Sequence, residues 1–440
     1  MAVPRPAKAR SLRRRGTRRR PPLPPGFGII WTTVALDLVG FGIVLPVLPL
    51  YARRYHASAA TAGALVAAFS LAQLLASPLW GRVSDRVGRK PVLIVSLVGT
   101  ALGSLFTGLA TGLVLLFVGR LVDGASGASV SVAQASVADF ARPDERARLF
   151  GLLGAAFGLG FVLGPALGGL LAPISPRLPF FAAALVAGVN ALVAVRRLPE
   201  TKRAPGRPAV PNPREAVAAA DGPVPPPPSG PAARPAAWRQ PPVLLLIGVS
   251  FLSLVAFSAF EGTFSLFSEE RLGLRESSAY FVFFIIGVLI VLVEIGLVHP
   301  VVRRVGERGA LQAGLVLNAA GLAVLPAVHS RWWLAPSLIL LTAGEGLITP
   351  TLASTVAGQV EPRERGEVLG VQQSAGGLAR VIGPSLGGVA FGAFGAGMPY
   401  AAGAVVVAVA AGGLALAPRP TPGGGAGGAS TNRTVSGEEQ

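Results

Sequence analysis

Five acids stand in long apolar stretches of this 440-residue chain: Asp37, Asp123, Glu261, Glu294 and Glu345. Only Arg120 and Arg380 share those stretches, so three of the carboxylates have no obvious cationic partner. A carboxylate in hydrocarbon is costly unless it faces a polar cavity, meets a cation or takes up a proton. Acids placed in this way can bind and release protons, and when ionised they attract organic cations. Arg120 and Asp123 are three residues apart and share a helix face, which suits an ion pair holding the fold. Other chemistries lack their residues. The chain has no cysteine, hence no thiolate nucleophile, thiolate metal site or disulfide. His56, His299 and His329 are widely scattered and have no metal-ligand spacing. No G-x-x-x-x-G-K-[ST] loop supports ATP-driven work, and no Ser/His/Asp set suggests an enzyme. No cofactor and no metal is expected.

The elements that must hold these acids are membrane helices. Hydrophobic residues make up 51% of the chain and charged ones only 14%, against about 25% charged in soluble domains. A spanning helix needs roughly 20 apolar residues. Twelve runs qualify, at about 27–50, 60–80, 92–110, 112–138, 149–172, 179–197, 243–267, 279–298, 310–328, 333–357, 367–392 and 399–417. The expected fold class is an all-α membrane protein of twelve transmembrane helices in two six-helix bundles. Residues 1–26 form a basic tail, 27–197 the first bundle, 198–242 a Pro/Ala/Arg-rich linker, 243–417 the second bundle and 418–440 a disordered tail.

The formal charge of +18 would suggest nucleic acid in a soluble protein, but its placement argues for topology. Of the 39 Lys and Arg, 31 lie in the two tails and the even-numbered connections, counting Arg196 and Arg197 at the edge of span 6 with the linker. Six lie in the odd-numbered connections and two inside spans. This alternation is the positive-inside pattern and puts both termini in the cytoplasm of a cell-membrane protein. The basic tail also suits anionic lipid headgroups.

The two halves repeat in parallel. Pro143, Glu145, Arg146, Gly151 and the run Gly164-Pro165-Ala166-Leu167-Gly168-Gly169 recur 219 residues later as Pro362, Glu364, Arg365, Gly370 and Gly383-Pro384-Ser385-Leu386-Gly387-Gly388. Parallel six-span repeats are a pattern of rocking secondary transporters, whose substrate site lies between the halves near the midplane.

Residues 81–90 read Gly-Arg-Val-Ser-Asp-Arg-Val-Gly-Arg-Lys. This resembles the signature loop between helices 2 and 3 of the major facilitator superfamily, G-x-x-x-D-R-x-G-R-K. The resemblance implies that Gly81, Asp85, Arg86, Gly88, Arg89 and Lys90 form a gating loop that latches the halves in the outward-open state. Asp139, at the end of span 4, is a candidate third member of its charge cluster. Gly81 and Gly88 are expected to permit a tight turn at the membrane surface. Gly160, Gly164, Pro165, Gly168 and Gly169 fit G-x-x-x-G-P-x-x-G-G, which resembles the antiporter motif of drug exporters in that superfamily. Small residues at that spacing also let helix backbones approach. Gly119-Arg120-Leu121-Val122-Asp123-Gly124 resembles the R-x-x-Q-G motif linked to proton coupling, with Asp123 in place of Gln. Leu36-Asp37-Leu38-Val39-Gly40-Phe41-Gly42 looks like the first helix of tetracycline-type exporters.

By family analogy spans 1, 4, 7 and 10 line the cavity, and Asp37, Arg120, Asp123, Glu261 and Glu345 lie on them as the coupling residues. Glu294 falls outside that set and reads as structural. Phe41, Phe257, Phe260 and Phe264 are candidate aromatic contacts for substrate, though the spacing of the last three also suits ordinary packing. The resemblance implies a proton-coupled exporter of a small organic molecule, a drug or other xenobiotic, working as a monomer in the lipid bilayer. Rival readings are an exporter of a sugar, siderophore or other metabolite, and a non-transporting sensor on the same fold. Polyhydroxylated substrates would call for more Asn, Gln and Trp on the cavity helices.

Overall fold

The computed structural model describes residues 23–24, 26–141, 145–200, 236–361 and 364–418. Most of the basic tail, linker residues 201–235 and the tail beyond residue 418 lie outside the described residues. Among the described residues there is no strand, and fourteen α-helices follow one another. They are α1 (Phe27–Val44), α2 (Leu48–Arg53), α3 (Ala59–Val87), α4 (Arg89–Gly108), α5 (Leu113–Ser126), α6 (Ser129–Phe140), α7 (Arg146–Leu171) and α8 (Leu178–Arg197) in the first half. The second half has α9 (Pro241–Leu272), α10 (Glu276–Gly296), α11 (Val298–Val324), α12 (Arg331–Gly358), α13 (Arg365–Phe394) and α14 (Met398–Leu416).

Among the described residues twelve spans are long and apolar enough to cross a membrane, at the places the composition predicts. Two depart from a single straight rod. Span 1 stops at Val44 and resumes as α2, because Pro46 offers no N–H and its ring clashes with the preceding turn. Span 4 is interrupted at Gly127 and Ala128, between α5 and α6. Outside the bilayer run of span 9, α11 begins early and turns sharply at Gly306, whose φ of 75° only glycine adopts at little cost.

Within the first half α1 packs on α7, α4 on α5 and α8, and α3 on α5; within the second, α9 packs on α13 and α14, and α11 on α12 and α14. The halves meet along two seams, α3 with α13 and α7 with α10. An even number of spans puts both ends of the helical region on one face. At the opposite face the halves are closed. Arg53, the last residue of α2, pairs with Glu269 and Glu270 of α9 at 3.4 and 3.1 Å. Gly63 and Gly388 meet so closely that a Cβ on either would collide with the other helix, and a Cβ on Gly168 would collide with the Tyr280 ring. Toward the terminal face the seams part: a Cβ on Gly151, Gly154, Gly366 or Gly370 would meet nothing within 4 Å. The cavity between the halves therefore opens on the side of the termini.

The aromatic stripe of span 7 belongs to the closed half of the bundle. Phe260 and Phe264 are fully buried, stacked at 4.9 Å, and surrounded by Phe267, Phe283 and Tyr400. Phe257 joins them at 5.9 Å. Packing, not an open cavity wall, is their place in this conformation.

Candidate functional site

Asp37 sits midway along α1, opposite the interruption of span 4. Ser129, the first residue of α6, donates its hydroxyl to Asp37 Oδ2, while Asp37 Oδ1 is buried and has no hydrogen-bond partner. The break exists because other side chains satisfy the backbone it frees. Trp80 Nε1 donates to the Ala125 carbonyl at 2.6 Å, Gln73 Nε2 to the Gly127 carbonyl at 3.0 Å, and the Ser96 hydroxyl to the Ser126 carbonyl. The Ala128 N–H in turn donates to Ser96 Oγ at 3.1 Å. Irregular backbone at membrane depth is tolerated only where it is satisfied in this way. A half-helix N-terminus carries partial positive charge, which suits the carboxylate of Asp37 beside it.

One helix away, Arg120 Nη2 donates to Asp123 Oδ2 at 2.7 Å, both residues buried on α5. The guanidinium also lies 5.7 Å over the Phe69 ring, and its Nε is unpartnered. Phe69 contacts Phe41 at 5.4 Å. Together Phe41, Phe69, Ser70, Val66 and Arg120 line a small recess in the first half. Arg120 is thus paired with Asp123 and not with Asp37.

The signature loop is a charge cluster inside the first half. Arg89 Nε donates to Asp139 Oδ2 at 2.9 Å, and its Nη1 reaches Asp85 Oδ1 at 2.7 Å and Ser84 Oγ at 2.6 Å. The turn rests on Gly88 alone, with φ 109°. Gly81 lies inside α3 with open space around it, contrary to the expected two-glycine turn, because the helix runs on to Val87. Arg86 is exposed at the helix end. The N–H groups of Arg89 and Lys90, which open α4, both donate to the Glu200 carboxylate at 2.9 and 3.2 Å. Glu200 follows α8, so it ties the sixth span to the third. In the second half Arg308, which matches Lys90 when the turn glycine Gly306 is aligned with Gly88 (an offset of 218), makes the matching tie with reversed chemistry: it donates to the carbonyls of Leu414, Ala417 and Pro418 at the end of α14 and just beyond it.

The antiporter-type glycines divide between two contacts. Gly160 and Gly164 let α7 touch the backbone of α1 at Leu38 and Gly42, next to Asp37. Gly168 and Gly169 receive the Tyr280 ring of α10 across the seam. Pro165 is accommodated inside the continuous α7. The copy in α13 repeats the division: Gly383 meets Val255 and Ala259 of α9, and Gly388 meets Ala59 and Gly63 of α3. Ala379, in place of the first glycine, is fully buried.

The second half carries its own acid cluster. Glu345 accepts from Asn318 Nδ2 at 3.2 Å and from Thr349 Oγ1 at 3.3 Å. Glu261 has one oxygen, Oε1, buried without a partner. Glu294 is exposed near the open end of α10. The structure keeps Asp37 and Glu261 in separate halves, with no hydrogen bond between them. Sequence reading passed over Ser129, Gln73, Trp80, Ser96, Glu200 and Asn318. No motif marks them, and each acts across a distance in sequence.

Comparison with known proteins agrees with this architecture. The family model described as Major Facilitator Superfamily matches residues 30–312 and 295–436. The chain is 33% identical over 363 residues to the class C tetracycline resistance protein of Escherichia coli, covering 81% of this chain and 87% of that protein. It is 29% identical over 371 residues to multidrug resistance protein 2 of Bacillus subtilis (strain 168), covering 83% and 88%. Among solved structures, the human organic anion transporter MFSD10 (TETRAN) superposes with a TM-score of 0.65 at 28% identity, covering 90% of this chain and all of that one. A bacterial homolog of the human lysosomal transporter Spinster, inward-facing and occupied, shares the fold with a TM-score of 0.67 at 16% identity, covering 89% and 95%. With its twelve spans and two seams, the chain belongs to the Major Facilitator Superfamily, is related to its drug-efflux transporters, and is a multi-pass membrane transporter and not an enzyme.

Proposed function

We propose that the chain exports a small organic molecule, a drug or other xenobiotic, in exchange for protons, as a monomer in the cell membrane. With both termini in the cytoplasm, as the basic connections suggest, the cavity faces the cytoplasm and the closed face is external. Substrate enters from inside. Release of the Arg53 ion pairs and of the Gly63–Gly388 and Gly168–Tyr280 contacts would then open the outer side. The proton gradient supplies the work, and no cofactor enters the cycle.

The observation that carries this reading is Asp37. It is a carboxylate at membrane depth, held by one hydroxyl at a helix interruption, with its second oxygen buried and unpartnered. An ionised carboxylate can accept several hydrogen bonds, whereas a protonated one supplies a donor of its own. A site that offers one donor suits an acid that exchanges a proton during the cycle. Arg120, already bound to Asp123, adds positive charge nearby without fixing Asp37 in an ion pair. Glu261 and Glu345 supply a second acid site in the other half. The test uses inside-out vesicles with an imposed proton gradient, a pH-sensitive dye and a panel of cationic, zwitterionic and neutral drugs. Wild type should lose its gradient on addition of a transported drug, and Asp37→Asn should not. Unchanged drug-linked proton flux in Asp37→Asn combined with Glu261→Gln would sink the reading.

A further inference from the structure

We propose that Arg380 is an anion-holding residue of the substrate site, and that the substrate carries an anionic group, such as a carboxylate, beside a cationic one. This rests on the export reading above and adds the charge pattern of the cargo.

Arg380 lies near the middle of α13, a membrane span. An arginine at that depth is costly unless it is paired or faces a water-filled cavity. Arg380 is exposed, and among the described residues it makes no hydrogen bond or ion pair. Its helix face is fixed by its neighbours. One turn before it, Gly377 faces Leu74 of α3, and Gly376 faces Leu254 of α9. One turn after it, Pro384 lies against Gly63 of α3 and Gly262 of α9, and Gly383 against Val255 of α9. Residues three and four apart share a helix face, so Arg380 points between α3 and α9, into the space between the halves and away from lipid.

The acids of the second half surround that space. Glu261 immediately precedes Gly262, whose contact with Pro384 brings it within about one helical turn of Arg380. Glu261 and Glu345 both lie within electrostatic range of Arg380. Neither carboxylate closes on it, since Glu345 is held by Asn318 and Thr349. The position is not one the fold requires to be basic. Its repeat equivalent in α7 is Phe161, whose backbone packs against Gly287.

A purely cationic substrate would be repelled by this arginine, and a purely anionic one by Glu261, Glu294 and Glu345. A molecule with both poles satisfies the set. Its cationic pole would meet the carboxylates once they have released their protons, and its anionic pole would meet the free fork of Arg380, which is shaped for two-point binding of a carboxylate.

The test needs no knowledge of the natural cargo. Nε-dansyl-L-lysine has an ammonium and a carboxylate, its methyl ester only the ammonium, and its Nα-acetyl derivative only the carboxylate. Dansyl fluorescence is titrated against the full-length protein in nanodiscs. Wild type should bind the parent about tenfold or more tightly than either derivative. Arg380→Gln should erase the preference over the ester by weakening parent binding while ester binding holds or tightens, and Arg380→Lys should keep part of the preference. Equal binding of parent and ester by wild type, no binding of the parent, or equal weakening of both by Arg380→Gln would each overturn the proposal. Proton movement in inside-out vesicles separates the two readings. Selective, Arg380-dependent binding without proton flux would remove the antiport reading and keep the anion site. Parent-driven flux that Arg380→Gln leaves intact would do the reverse.

Discussion

Gly168→Ala should push the transporter toward the state in which the face closed here is open. In this conformation an alanine Cβ at this position would stand 2.8 Å from Cδ1 and Cζ of the Tyr280 ring, and nearer still to Cε1. Carbon atoms prefer about 3.5–4.0 Å, so the α7–α10 seam must open by roughly 0.7 Å or more. Overpacking of this kind costs about 1–3 kcal/mol. The contact lies across the seam at the closed face, so the cost falls on this state and is relieved when the seam parts. A bias of that size changes the ratio of the two states about 5- to 150-fold. Because the chain has no cysteine, Arg53→Cys and Glu270→Cys can report closure directly. Their oxidative cross-linking in membranes should slow on adding Gly168→Ala and recover on adding Tyr280→Ala. The control is Gly160→Ala. Its clash, 2.7 Å from the Leu38 carbonyl, lies within one half, so it should lower stability without changing the cross-linking rate. Unchanged cross-linking in a folded Gly168→Ala protein would refute the reasoning, as would an equal change in Gly160→Ala.

Three further outcomes follow from contacts within the first half. Glu200→Ala removes the acceptor for the first two N–H groups of α4, and should lower thermal stability in detergent by about 0.5–2 kcal/mol. Gln73→Leu leaves the Gly127 carbonyl buried without its donor at a cost of about 1–3 kcal/mol, and hydrogen exchange around residues 127–131 should rise before that of any other span. Arg89→Lys keeps the charge but loses the fork that holds Asp85, Asp139 and Ser84 together. It should slow transport with little change in apparent substrate affinity, and a wild-type rate in a flux assay would show that the cluster plays no part in gating.

The spans, the repeat and both glycine motifs were legible in the sequence because each depends on local composition or a fixed offset. The pairing of Arg120 with Asp123 was equally legible, since three residues on a helix put both on one face. What escaped was set by distant partners. Nothing at Gly127 or Ala128 announces an interruption; no proline is there, and the donors that permit it are Gln73, Trp80 and Ser96 on two other spans. The tie of Glu200 to α4 crosses more than a hundred residues, and no periodicity registers it. Gly81 misled because a glycine in a loop-like signature suggests a turn, whereas α3 continues through it. The spacing of the phenylalanines of span 7 allows two outcomes, and the closed face of the bundle decides for packing.

The interruption of span 4 also bears on how the protein enters the bilayer. α5 and α6, of 14 and 12 residues, are each shorter than the roughly 20 residues a crossing helix needs. Between them they expose three carbonyls that hydrocarbon cannot solvate. The side chains that accept this burden belong to spans 2 and 3, which leave the ribosome first. Span 4 therefore meets its donors already in place. Asp37 has the opposite history: its partner Ser129 is made 92 residues later, so during synthesis the acid must wait in the membrane or at its edge until the fourth span arrives. The order of the chain makes the interrupted helix easy to insert and leaves the first acid as the group most in need of a proton during biogenesis.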